Sequence, residues 1–143
     1  MIYTSYFGKL KKFPDNLTPI AICAKCPNGY QGAVYKKLAP TYQILMDYKK
    51  AADGGWESLY WAQTKYVTRY RAQILDNLDP QQVVRELENL ANGQDIVLLC
   101  YERPDAFCHR HLVAEWLKSH GIPCEEWGGN DNDKRKRHSM VFR

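Results

Sequence analysis

No stretch of this chain approaches the ~20 apolar residues that a membrane-spanning helix needs. The opening residues, MIYTSYFGKLKKF, lack the apolar core of a secretory signal. Neither GxGxxG nor GxxxxGK followed by Ser or Thr occurs, which disfavours the nucleotide-binding folds that those glycine-rich loops mark. Cys23, Cys26 and Cys108 each lack an arginine six positions later, so none heads the usual phosphatase loop. A second Cys-x-x-Cys is missing too, and with it the strongest sequence sign of zinc. Internal repeats and low-complexity segments are absent. So are helix-turn-helix and RNA-binding aromatic signatures, which argues against sequence-specific DNA reading.

What remains fits a soluble α/β protein of one domain. The 143 residues suffice to bury a substantial core. The ten tyrosines and four tryptophans suit ordinary cores, half-wet surfaces and ligand stacking alike. The formal charge of +4 is uneven: residues 130–143 carry a net +3, so the domain at 1–129 is close to neutral and the tail is basic. Five cysteines with no secretory signal lead us to expect a cytoplasmic protein with reduced thiols.

The most informative stretch covers residues 95–117, DIVLLCYERPDAFCHRHLVAEWL. Its first part, IVLLCY at 96–101, is continuously apolar, the habit of a strand buried on both faces of a parallel sheet. Pro104 ends the strand, and Pro104 or Asp105 is expected to begin a helix. Leu112, Val113, Trp116 and Leu117 give that helix one apolar stripe, and Gly121 with Pro123 stops it. Cys108, His109 and Arg110 then fall in the first turn or just inside it. Free N–H groups and the helix dipole favour negative charge there, hence a thiolate or a bound anion. Arg110 could clamp a phosphate or carboxylate, and Glu102 stands within reach of Arg110 or of a substrate. The structural alternative has Cys108 in the core and Arg110 linked to Glu102.

These residues carry a resemblance. LLCYERPDAFCHRHLVAEWL resembles the signature of the domain of unknown function 488 family: a strand ending in Cys-x-Glu, a proline-containing loop, then Cys-His-Arg opening a helix. The matching positions are Cys100, Glu102, Pro104, Cys108, His109 and Arg110. The opening IYTSYFGKLKKF, YKKLAP at 35–40 and VTRYRAQIL also look like this family. The resemblance implies a compact α/β domain with a site at the motif, and no established reaction.

Along the chain, strands are expected at 2–5, 18–23, 96–101 and 124–127. Residues 30–40 read as a loop with a short helical turn. Helices are expected at 42–52, capped by Thr41; at 59–78; and from Asp79-Pro80, with Gln82 at the capping-box position, to Gly93. The alternation predicts a mostly parallel sheet flanked by helices, a Rossmann-like three-layer arrangement. Ligands of such sheets bind beyond the carboxyl ends of the strands, so the loops carrying Cys23 and Cys26, Glu102 and Cys108, and Ser5 and Tyr6 should open on one crevice.

The candidate site follows. Cys108 is the nucleophile or polar anchor, Arg110 holds an anionic group, and His109 and Glu102 handle protons or orient Arg110. Ser5, Tyr6 and Arg69 contribute to substrate or anion binding, with a solvated Arg69 as the alternative. His111 and Glu115 read as an exposed polar pair. No cofactor is expected. The alternative is a zinc-stabilised module using Cys23, Cys26, Cys108 and His109. The partner class is a small anionic substrate or nucleotide, with non-specific nucleic-acid contact through Lys134, Arg135, Lys136 and Arg137, and no membrane. A non-catalytic module binding phosphate, nucleic acid or a partner is the rival from another class.

Overall fold

The computed structural model describes residues 1–102 and 107–128. Five strands, β1 (Ile2–Tyr6), β2 (Leu17–Ala21), β3 (Ala33–Val34), β4 (Asp95–Cys100) and β5 (Cys124–Glu126), form one sheet in the order β3-β2-β4-β1-β5. Every pairing is parallel. Four α-helices join them: α1 (Tyr42–Ala52), α2 (Trp56–Gln73), α3 (Pro80–Ala91) and α4 (His109–Ser119). The three-layer α/β fold expected from the alternation is the one observed.

The layers follow from the direction of travel. The chain steps from β1 over β4 to β2. It later returns from β3 over β2 to β4, and from β4 over β1 to β5. Right-handed crossovers that run in opposite directions lie on opposite faces. A 3₁₀ helix at Phe7–Lys12, with Phe13 and Trp127, therefore covers Leu17, Val97 and Leu99. Residues from all four α-helices cover Ile20, Ile96 and Leu98 on the other face. Residues 96–100 of β4 are buried throughout because its alternate side chains meet both layers. β1 and β4 are neighbours whose exits leave to opposite faces. A crevice opens between their carboxyl ends, where Tyr6 pairs with Cys100.

Local signals set most boundaries. Thr41 Oγ1 accepts from Ile44 N at 3.1 Å and starts α1 as expected. Asp79 caps α3 through Gln81 N at 3.1 Å, but Gln82 bonds Glu86 at 3.0 Å instead of closing a capping box. Asn92 (φ 51°) and Gly93 (φ 83°) end α3 in the left-handed region. The single helix expected over 59–78 is α2 followed by a separate 3₁₀ turn at Leu75–Asn77. Asn77 Nδ2 donates to Gln73 O at 2.9 Å and so competes with helical backbone pairing.

The loop expected over 30–40 contains the edge strand β3 and a 3₁₀ turn at Lys36–Leu38. The helix expected to begin at Pro104 or Asp105 is described only from His109, with Cys108 as an extended N-cap. Phe107, just before that cap, makes ring contacts with Tyr48 and Tyr66. The basic tail at 130–143 lies outside the described residues. Among those residues, no helix is long and apolar enough to cross a membrane.

Candidate active site

β4 delivers Cys100 at its carboxyl end, and the start of α4 delivers Cys108, His109 and Arg110. Cys100 and Cys108 are paired sulfur to sulfur as a disulfide. Cys23, Cys26 and Cys124 are free. The loops after β2 and β4 do converge, as the sheet-edge argument required. Ile22 N donates to Leu99 O at 3.0 Å, and the Tyr101 hydroxyl donates to the Lys25 carbonyl. Cys23, Cys26, Cys100 and Cys108 pack in one cluster with Ala21, Phe7 and Tyr30.

Arg110 is fully buried. Its Nε and Nη2 donate to the Glu126 carboxylate at 3.2 and 3.0 Å. Its Nη1 donates to the Glu102 carbonyl and lies 3.5 Å from Cys100 Sγ. The Tyr6 ring sits 5.8 Å from the guanidinium carbon. Glu126 is equally buried and also accepts from Thr4 Oγ1 at 2.8 Å. The fork that sequence reasoning aimed at a substrate anion is thus held by β5, and the link to Glu102 runs through backbone, not carboxylate.

His109 is buried, and its Nε2 meets the Ile22 carbonyl at 2.7 Å. A carbonyl only accepts, so Nε2 carries the proton. Nδ1 is then left as an acceptor, 3.9 Å from Cys108 Sγ. Burial pushes the imidazole pKa down to about 4; the Arg110 charge adds to this, and the Ile22 carbonyl opposes it. His109 is therefore neutral near pH 7. Burial likewise pushes Cys23 up to about 12, with the Cys26 sulfur reinforcing it.

A cavity of about 440 Å³ opens over the disulfide. Cys23, Cys100, Cys108 and His109 line it, and Glu102 stands exposed at its mouth. Tyr48, Tyr66 and Phe107 form one wall: Tyr48 stacks on Phe107 at 5.1 Å, and Tyr66 meets Phe107 edge-on at 5.0 Å. Among the described residues, Lys25 and Lys49 are the cationic side chains in the lining.

The remaining expected residues lie elsewhere. Ser5 pairs in register with Leu99 and Tyr6 with Cys100, so alternation points Ser5 to the far face of the sheet. Arg69 bonds Asp47 at 2.7 Å and lines a separate hollow of about 270 Å³ between α1 and α2. His111 is buried rather than exposed, and Glu115 pairs with Arg71 at 3.2 Å. For a metal, the ligand atoms of Cys100, Cys108 and His109 lie within 4.8 Å of one another, and the sulfurs of Cys23 and Cys26 are 3.9 Å apart. With two sulfurs in a disulfide and His109 Nε2 on Ile22, the set can hold a cation only after reduction.

Sequence reasoning missed three participants. Cys100 was visible in the Cys-x-Glu motif but was read as the strand end alone. Glu126 and Thr4 carry no signal, since their roles depend on β5 lying beside β1.

A family model described as the active DUF488-N3 subclade, DUF488-N3a, matches residues 3–121. Comparisons with curated proteins and with solved structures found no match. The family match takes in β1, β4, Cys100 and the whole of α4, so the elements that build the cavity are those by which the chain belongs to the DUF488 family.

Proposed function

We propose that this protein is a cysteine-dependent enzyme whose reacting pair is Cys108 and Cys100. The observation that carries this reading is the meeting of the two sulfurs, from a strand end and a helix start, in the wall of an open cavity beside a buried arginine. Cys108 is the nucleophile. It caps α4, where the helix dipole favours a thiolate, and His109 Nδ1 orients its thiol. The low proton affinity of His109 makes it a hydrogen-bond acceptor more than a base. Cys100 is the resolving thiol, and Arg110 Nη1 stabilises it as a leaving thiolate.

The substrate is a small anionic molecule with an electrophilic sulfur. Cys108 thiolate attacks that sulfur, and the group bonded to it leaves as a thiolate. Cys100 thiolate then attacks Cys108 and frees the rest of the substrate as a second thiolate. The substrate gains two electrons and the Cys100–Cys108 disulfide remains. Lys25 and Lys49 meet the anionic group, a role that Arg110 cannot fill while Glu126 holds its fork. Tyr48, Tyr66 and Phe107 suit a planar ring such as a nucleobase, which brings a nucleotide-derived substrate within the class.

The test is the alkylation rate of each cysteine against pH, mapped by mass spectrometry on reduced protein with and without chelator. We expect Cys108 to react first and fastest near neutral pH, and Cys108→Ser to remove that phase while circular dichroism is unchanged. A Cys108 that is slow at every pH would leave a non-catalytic binding module. Cys23, Cys26 and Cys108 released together by chelator would leave a zinc-stabilised one.

A further inference from the structure

The mechanism above ends with an oxidised pair and uses neither Cys23 nor Cys26. Both lie in the cluster that contains the disulfide. Cys23 is buried beside it, whereas Cys26 is partly exposed. Their sulfurs are 3.9 Å apart, which a small rotation of either side chain would close to a bond. The loop that carries them is tied to the site from two sides: the His109 ring bonds Ile22 O, and Tyr101 bonds Lys25 O.

We infer that Cys23 and Cys26 are a second dithiol, which passes electrons from outside thiols to the Cys100–Cys108 disulfide. This rests on the reading of Cys100 and Cys108 as the reacting pair. Cys26 thiolate attacks Cys108 Sγ, the Cys26–Cys108 bond forms, and Cys100 leaves as a thiolate beside Arg110. Cys23 then attacks Cys26, the Cys23–Cys26 bond forms, and Cys108 leaves as a thiolate at the start of α4. Two electrons and two thiol protons pass from one pair to the other. Part of what raises Cys23 is the Cys26 sulfur, and that charge is gone once Cys26 is in the mixed disulfide. The Cys23–Cys26 disulfide is in turn reduced by a small-molecule dithiol, which reaches the partly exposed Cys26.

The experiment uses the full chain and disulfide mapping after acid quench. In a Cys23→Ser/Cys100→Ser variant that keeps the native circular dichroism, mild oxidation should produce the Cys26–Cys108 disulfide. In a Cys23→Ser/Cys26→Ser variant, dithiothreitol should reduce Cys100–Cys108 about tenfold more slowly than in the parent. If Cys100–Cys108 forms and breaks reversibly in that second variant but Cys26–Cys108 never appears in the first, the relay is refuted and the reacting pair stands. If Cys100–Cys108 does not form in either the parent or the second variant, the reacting pair itself falls. One zinc held per reduced parent chain and lost on Cys23→Ser would also overturn the relay, because the four sulfurs would then be a metal site.

Discussion

Removing one half of the Arg110–Glu126 pair should harm the protein unequally, depending on which half goes. Both side chains are fully buried, and the carboxylate accepts three hydrogen bonds: two from Arg110 and one from Thr4. Breaking a buried pair by deleting one partner costs about 3–5 kcal/mol, because a charge is left in a medium that cannot solvate it. In Arg110→Met the orphan is a carboxylate, which can take up a proton. In Glu126→Met the orphan is a guanidinium, which cannot lose one. We therefore expect Glu126→Met to lose about 4–5 kcal/mol at all accessible pH values. Arg110→Met should lose less, about 3 kcal/mol, because the Glu126 carboxyl it leaves behind can be neutralised. With a urea slope of about 2 kcal/mol/M, Glu126→Met moves the midpoint down by about 2 M. The double variant Arg110→Met/Glu126→Leu should sit within about 2 kcal/mol of the parent, because no charge remains to be buried. The assay is urea unfolding followed by circular dichroism at pH 5 and pH 8. Two single variants with equal losses and equal pH dependence, or with losses under about 1 kcal/mol, would refute this reasoning.

His109 has a folded pKa near 4, below its unfolded value of 6.5, so the unfolded chain binds more protons between those limits. Stability is complete above pH 6.5 and falls through that window towards pH 4; His109→Phe should flatten the loss in urea midpoints measured across it. Tyr70 is fully buried and donates its hydroxyl to the Leu38 carbonyl. Tyr70→Phe strands that carbonyl and should lower stability by about 1–3 kcal/mol, read as a drop in thermal midpoint with an unchanged spectrum.

The apolar run of β4, the Thr41 and Asp79 caps and the alternation of elements carried the fold, because each is a local signal read over a few residues. The general rule for parallel sheets carried further. It placed the Cys23 and Cys108 loops at one edge before any distance was known, and the structure brings them together. What stayed hidden depends on contacts distant in sequence. Arg110 is claimed by Glu126, sixteen residues on, from a three-residue strand with no apolar alternation of its own. Cys100 reads as an ordinary core residue until the chain after β4 turns back and sets Cys108 beside it. Ser5 was legible as a strand-end residue, whereas the face it turns to was not, since a shift of one position reverses the face. Arg69 read equally as an anion ligand or a solvated arginine, because its pairing with Asp47 on α1 leaves no signal in the sequence.

Glu126 leaves the ribosome after every other residue of the site. While 124–128 are still in the exit tunnel, β1 has no neighbour on that side and Arg110 has no carboxylate. A bare guanidinium would then share the pocket with two thiols and a neutral imidazole. The docking of this three-residue strand is what supplies the carboxylate. It gives the arginine its bearing and, through it, sets the electrostatic field at Cys100. A nascent chain carries both sulfurs before it carries that carboxylate.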